Sequence, residues 1–578
     1  MKQKKRYDEI YQGIRGQEFI DLIKGFLKKG KLPDKYIETI VTPTTMQLWN
    51  TAFTHKSADQ KNNYEFIEIL GDSILNASIV TYMDERFPNI RSPSGVQVMG
   101  RLKINYVSQQ SFYMIARNLG FWPYITASVE KRKRLMKSFL EDCLEAVFGL
   151  ITLLLNTRVM KNIGFAIVPD IVKNLYSDID ISLDYYKLYD SKTILKQIFD
   201  KRKDLGTLKY THHTQRDYTN PDFSYSVVKI LRIVSQQEIY TIGESTGSLK
   251  ATAEQNTAKA ALEYLSTQGI KPEIPEGFMC NDTLSEKVES GYRISPDEEV
   301  GQIYQGKRDD KFVSLIHKFL KRGKLKDAWI QTLLTPDAME VWDIAFTHQS
   351  ANQQNNYEYM RFIGNTVAKS LLVWYFDDKF PQIQCPAGVP IMARLKITHD
   401  PKKTFVDLAR NLDIWPYITT SVDARSKNTD LILSKCLESM IGATVRLLDE
   451  KIRDNIGLAI IPNILKSLYD EMVDISLNYY DLFDSKTILK QVFDKRKDLG
   501  SLEYKDETVK EEQEGNEIVY SRVELFLKPR NSYPQLISES VGSTKADAEQ
   551  KASKLALDYF KNRGVEPDIS KDYLMFCD

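Results

Sequence analysis

Apolar residues return every three or four positions from Glu18 to Lys29, the period of a helix with one buried face. The same period runs through Asn62–Ser73 (NNYEFIEILGDS), Arg101–Leu119 and the stretch from Leu140 (LEDCLEAVFGL), with Pro88, Pro93 and Gly95 as punctuation. This pattern predicts an all-helical domain over about the first 180 residues. Beyond it a helical segment, SKTILKQIFDKRKD, leads into strand-like runs such as FSYSVVKILRIV and QEIYTIGEST, and TAEQNTAKAALEYL closes the series. Helix, strands, helix is the order of a small α+β module.

The whole pattern then recurs. NNYE at Asn62 returns at Asn355, NIGFAIVP at Asn162 as NIGLAIIP at Asn455, and DSKTILKQIFDKRKDLG at Asp190 as DSKTILKQVFDKRKDLG at Asp484. The offset drifts only from 293 to 295 residues, so the chain reads as two tandem copies of one unit. The boundaries expected are 1–180 and 303–474 for the helical domains, and 181–268 and 475–565 for the α+β modules. Residues 269–302, rich in Pro, Gly and polar residues, read as a linker, and 566–578 as a C-terminal tail.

Composition changes this picture little. With 578 residues, 42% hydrophobic and 27% charged, the chain is long enough for several ordinary globular cores. Its net charge of +1 requires any basic surface to be local. Five cysteines with no CxxC spacing argue against a zinc site or a disulfide framework. The opening MKQKKRYDEIYQG has no apolar h-region, and no apolar run reaches the length of a membrane span. The expectation is a cytoplasmic or otherwise intracellular protein without membrane contact.

The chemistry concentrates in two stretches. Glu65, Glu68 and Asp72 fall at i, i+3 and i+7, on one face of a helix. Asp142 and Glu145 stand at i, i+3 in a second apolar helical run. If the helices cross, five carboxylates meet, and a hard divalent cation with oxygen ligands relieves their repulsion. On spacing alone, a solvated acidic face is the other reading.

The wording favours the first. AFTHKS (Ala52–Ser57), NNYEFIEILGD and LEDCLEA (Leu140–Ala146), in that order and spacing, resemble the ribonuclease III signature, which runs near ALTHxS, NNxxLEFLGD and DxxEA. The resemblance implies all-α endonuclease domains, each followed by an α-β-β-β-α double-stranded-RNA-binding-like domain, in two copies. It also implies Mg²⁺ (or Mn²⁺) held by Glu68, Asp72, Asp142 and Glu145 with Glu65 assisting, hydrolysis of double-stranded RNA, and 5′-phosphate and 3′-hydroxyl products. Nuclease domains of this family pair about a two-fold axis. The two copies are therefore expected to pair within one chain, or copy one with copy one of a second chain. A linker of about 35 residues spans on the order of 100 Å when extended, enough for internal pairing.

The copies diverge where the chemistry lies. Glu65 is kept as Glu358 and Glu145 as Glu438, but Glu68 becomes Arg361, Asp72 becomes Asn365 and Asp142 becomes Lys435. Fixed positive charge stands where cations would sit, so copy two reads as a degenerate nuclease. Ahead of the second acidic helix, copy one carries a basic loop, Lys131, Arg132, Lys133, Arg134 and Lys137, placed to hold phosphates; copy two keeps only Arg425 and Lys427 there. In the RNA-binding-like modules, Gln197 and Lys250 are the positions that match family contacts. Ala251 and Glu254 replace the other lysines of the last helix, and copy two inserts the acidic DETVKEEQEG (Asp506–Gly515). Weak RNA-binding modules and a degenerate copy leave a second reading open: an inactive structural or RNA-binding protein on a duplicated ribonuclease III fold.

Overall fold

The computed structural model describes residues 9–216, 224–281, 302–513, 516–529, 533–569, 573, 575 and 576. Most of the expected linker, and much of the expected tail, lie outside the described residues.

Two long helices, Glu65–Arg86 and Met136–Arg158, form the spine of the first helical domain. Both are apolar nearly all round, and such helices are stable only when buried on every side. Glu65–Arg86 is long and apolar enough to cross a membrane by length and composition, but 78% of that window is buried inside the protein, which accounts for its apolarity. Shorter helices wrap the spine, among them Gln17–Lys29 and Ile163–Tyr176.

The Arg101–Leu119 stretch is not one helix. It breaks into Gly95–Tyr106 and Gln109–Asn118, because Ser108 takes an extended backbone and its hydroxyl caps the second helix by accepting from the Ser111 N–H. The basic "loop" is likewise a short helix, Val129–Arg134, capped by Ser128.

Residues after this domain form the helix Ser191–Lys201, an antiparallel meander of Thr207–Arg216, Ser224–Ile233 and Ile239–Gly247, and the helix Lys250–Thr267, which covers one face of the sheet. The second copy repeats the series with Ser485–Lys495, strands Ser501–Gln513, Asn516–Lys528 and Gln535–Gly542, and the helix Lys545–Lys561. Its first hairpin is longer, because residues 506–513 of the acidic insert continue the strand pairing.

The expected linker begins as packed structure. Glu276–Asn281 is a short 3-10 turn lying on the first helical domain, with Phe278 buried against Tyr185 and Tyr189. Tyr573 fills the matching place against Tyr479 and Phe483, so part of the expected tail is a clasp.

The two helical domains share one apolar core, with Glu65–Arg86 packed on its counterpart Glu358–Lys379. Polar contacts ring this seam. Tyr359 donates to Asp84 (2.9 Å), Arg91 bridges Asp84 and Glu450, Lys103 donates to Thr366 (3.3 Å), and Asn455 donates to Asp170 (2.7 Å). The area that holds the halves together is apolar; the polar ring sets their register.

Candidate active site

Two glycines bring the acids together. A Cβ at Gly71 would sit 1.7 Å from the Glu145 carbonyl oxygen, and one at Gly149 would sit 2.3 Å from that of Ile67. The backbones of Glu65–Arg86 and Met136–Arg158 therefore touch where they cross, one residue from Asp72 and four from Glu145. That crossing turns two amphipathic patterns into one cluster.

Carboxylate oxygens of Glu68, Asp142 and Glu145 lie within 4.8 Å of one another. This is close to the span of about 4–5 Å between two oxygens on opposite sides of one divalent ion. Asp142 is held by the Tyr64 hydroxyl (3.3 Å) and by Ser138 (3.3 Å). Asp72 lies beside the trio and accepts from the Asn76 amide. Glu65 stands apart from it, paired with Lys56 at 2.9 Å.

Burial dominates the electrostatics. It pushes the Glu145 carboxyl up to about 10, with further contributions from Asp72 and Glu68. Glu68 is pushed up to about 8 by burial and then by Asp142 and Glu65. Asp142 rises to about 6 through burial and Glu141, although Tyr64 and Ser138 pull it back. Burial raises Asp72 too, offset by Lys396 and Lys103. The cluster thus holds protons that a cation would displace, the usual coupling of metal uptake to proton release. Its oxygen-only donor set fits Mg²⁺ or Mn²⁺.

The second copy solves the same crowding internally. Gly364 and Gly442 make the same close crossing. There Glu358 pairs with Arg361 (2.7 Å) and Lys435 (2.9 Å), while Glu438 accepts from Asn365 (2.5 Å) and faces Arg361 at 3.6 Å. Burial pushes Glu358 up, but those two cations hold it below the usual carboxylate range. Tyr357, the counterpart of Tyr64, has no hydrogen-bond partner for its hydroxyl among the described residues; the residue at the place of Asp142 is Lys435.

The predicted phosphate contacts separate. Lys131, Lys133, Arg134 and Lys137 are exposed, Arg134 in an exposed pair with Glu130. Arg132 is corrected: its guanidinium donates to the carbonyls of Ile125 and Trp122 and lies 3.9 Å and 3.8 Å from the Tyr11 and Trp122 ring centres, so it is not free for phosphate. Arg425 does the same with Tyr304 and Trp415 in the other copy. Arg132→Ala is expected to destabilise the first helical domain by about 1–3 kcal/mol, as a lost stacked and hydrogen-bonded cation does, in a thermal melt. Lys133→Ala should leave the melt unchanged and reduce the salt dependence of RNA retention.

Gln197 accepts from the Tyr185 hydroxyl (2.6 Å), and Gln491 repeats this with Tyr479, so both amides tie their module to the preceding segment. Lys250 is exposed at the start of its helix, 4.0 Å from Glu254. Lys545 is paired with Asp506 of the acidic insert at 2.8 Å.

Sequence reading passed over Glu141, Tyr64, Lys103 and Lys396. Glu141 adds a further carboxylate beside Asp142, and the two lysines face Asp72, Lys396 from the other half. The tetrapeptide RLKI, repeated at Arg101 and Arg394, was the available signal.

Comparison with known proteins places this geometry. A family model described as the ribonuclease III domain matches residues 65–155, which hold both acid-bearing helices. The chain is 35% identical over 283 residues to a putative ribonuclease 3 of Invertebrate iridescent virus 6, covering 46% of this chain and 94% of that one. It is 34% identical over 249 residues to a putative ribonuclease 3 of Frog virus 3 (isolate Goorha), covering 42% of this chain and 62% of the relative. Among solved structures, the nuclease domain of a ribonuclease III from Campylobacter jejuni aligns at 23% identity and a TM-score of 0.21, over 28% of this chain and 99% of that domain. The chain belongs to the ribonuclease III family, whose members are endoribonucleases.

Proposed function

We propose that the protein is a divalent-metal-dependent endoribonuclease acting on double-stranded RNA through a single competent centre. The first helical domain supplies that centre, and the degenerate second one serves as its internal partner. One observation carries this reading: the first copy gathers Glu68, Asp142 and Glu145 within 4.8 Å with no ion pair to any of the three among the described residues, whereas the second sets Arg361 and Lys435 against Glu358 at the same place.

Glu68, Asp72, Asp142 and Glu145 would hold Mg²⁺ or Mn²⁺, with Glu65 at the edge. Such an ion polarises a phosphoryl oxygen and lowers the pKa of bound water. Tyr64 and Ser138 fix the orientation of Asp142. Lys103 and Lys396 set positive charge beside Asp72, where a phosphate next to the scissile bond would lie. Exposed Lys131, Lys133 and Arg134 extend that charge along the duplex backbone. The products expected are 5′-phosphate and 3′-hydroxyl ends.

The α+β modules at 181–268 and 475–565 are proposed as double-stranded-RNA-binding-like domains. The second is the weaker binder, because Asp506 occupies Lys545. The alternative homodimer through two first copies would need the Glu65–Arg86 face that Glu358–Lys379 already covers.

A monomer with one centre should nick. Duplex RNA labelled on either strand and incubated with Mg²⁺ is expected to yield single-strand breaks, with sedimentation in the same buffer showing one chain. Equal scission of both strands by a proven monomer would refute the proposal.

A further inference from the structure

The degenerate copy carries its own concentration of positive charge where it meets the acid cluster of the first. A depression of about 450 Å³ on this half is lined by Lys369, Lys396, Ile397, Asp400, Lys402 and Lys403, among others. Lys396 is the lysine that faces Asp72 across the seam, so the depression and the acid cluster share one wall. Lys369 follows Asn365 by one turn on Glu358–Lys379, and Lys402 and Lys403 lie in the first turn of the helix Pro401–Asn411.

The matching surface of copy one is much less charged. At the 293-residue offset Lys369 corresponds to Asn76, Lys402 to Gln109 and Lys403 to Gln110; Lys396 alone keeps its lysine, as Lys103. With Asp400 included, these side chains carry a net charge of +3 and their counterparts +1, in a chain whose whole net charge is +1.

Stability does not account for the excess. Asp400 pairs with Lys369 at 2.8 Å, but Lys396, Lys402 and Lys403 make no ion pair among the described residues. Lys402 and Lys403 stand in a first helical turn, where the helix dipole disfavours cations. Lys369 also repels Lys103 of copy one, which is half-buried. Arg361 and Lys435, by contrast, are matched by Glu358 and Glu438. Lys103, Lys369, Lys396, Lys402 and Lys403 thus form a band from the edge of the acid cluster onto the second half, only partly offset by Asp72 and Asp400. Positive charge gathered in this way in a nearly neutral protein attracts a polyanion.

We propose that Lys369, Lys402 and Lys403 hold backbone phosphates of duplex RNA beside the point where Lys396 faces Asp72. The degenerate copy then grips a substrate that it cannot cut. This rests on the reading that the substrate is duplex RNA, but it does not require the acid cluster to cleave. Lysines follow a phosphate backbone as point charges without reading base edges, so the grip is indifferent to sequence.

The test is equilibrium binding of a duplex RNA of about 30 base pairs to the full chain carrying Asp142→Asn, from about 50 to about 200 mM salt. Lys402→Gln/Lys403→Gln, which installs the copy-one residues, is expected to weaken binding at least about tenfold. It should also lower the slope of log affinity against log salt by about 2, since each phosphate contact contributes about 0.9. With Asp142 restored, the loss should appear in KM rather than kcat. The melting temperature should not fall, which separates lost contacts from lost folding. Affinity and slope unchanged by the double variant would overturn the proposal. So would an equal loss in Lys28→Gln/Lys35→Gln, which removes the same charge from helices outside the depression. Duplex held through these lysines but not cleaved by the parent would refute the nuclease and leave this inference standing; cleavage without a lysine effect would do the reverse.

Discussion

Asp142→Asn or Glu145→Gln is expected to lower Mg²⁺-dependent cleavage of duplex RNA by more than about a hundredfold, since even outer-shell partners of a catalytic metal are worth ten- to a hundredfold. Retention of RNA on a filter should be unchanged, which separates an enzyme from an inert scaffold. In the metal-free state the same substitutions should stabilise the fold. Each removes a carboxyl that burial and its neighbours push up, to about 6 for Asp142 and about 10 for Glu145. A carboxyl whose pKa is raised on folding contributes stability while protonated, fully so below its unfolded value of about 4. That contribution is lost as pH climbs through the folded values of about 6 for Asp142, 8 for Glu68 and 10 for Glu145. Melting in EDTA should therefore fall between pH 5 and pH 9 in proportion to the number of these acids present, relative to the variants. The stabilisation by Mg²⁺ should grow over the same range, because its ligands must give up their protons. A metal effect independent of pH, and equal in Asp142→Asn, would remove the basis for assigning the site.

Gly71→Ala should do the most damage for the smallest change. Its methyl group would meet the Glu145 carbonyl oxygen at 1.7 Å, and that oxygen belongs to backbone that cannot rotate away. The two spine helices must separate, at a cost of about 3 kcal/mol or more, the upper end of overpacking effects. With them Glu68 parts from Glu145, so cleavage and the pH-dependent response to Mg²⁺ should disappear together. Gly25→Ala is the control. Gly25 lies within Gln17–Lys29 and a Cβ there meets nothing within 4 Å. That variant should gain about 0.5–1 kcal/mol from helix propensity alone and cleave normally. If Gly71→Ala melts like the parent, the close crossing is not what assembles the acids.

Much of the local structure was legible in advance. The i, i+3, i+7 spacing of Glu65, Glu68 and Asp72 is a helical fact, and the helix Glu65–Arg86 starts at the first of these acids. The 293-residue repeat exposed the substitutions at Arg361, Asn365 and Lys435; Arg361 and Lys435 pair with Glu358, and Asn365 donates to Glu438. Where the reading failed, a side chain had found a partner distant in sequence. Arg132 sits in a run of four basic residues, yet it is stacked between Tyr11 and Trp122. The stretch Arg101–Leu119 kept a helical period across a break that one serine cap decides.

The sequence by itself determined which helices would form, which carboxylates they carry and which copy lost them, because backbone periodicity and the tandem repeat are written within a few residues of each position. Only the tertiary structure decided that two glycines let those helices touch and that Lys396 of one half faces Asp72 of the other. Those facts depend on the approach of segments dozens to hundreds of residues apart, and packing, not periodicity, sets that approach.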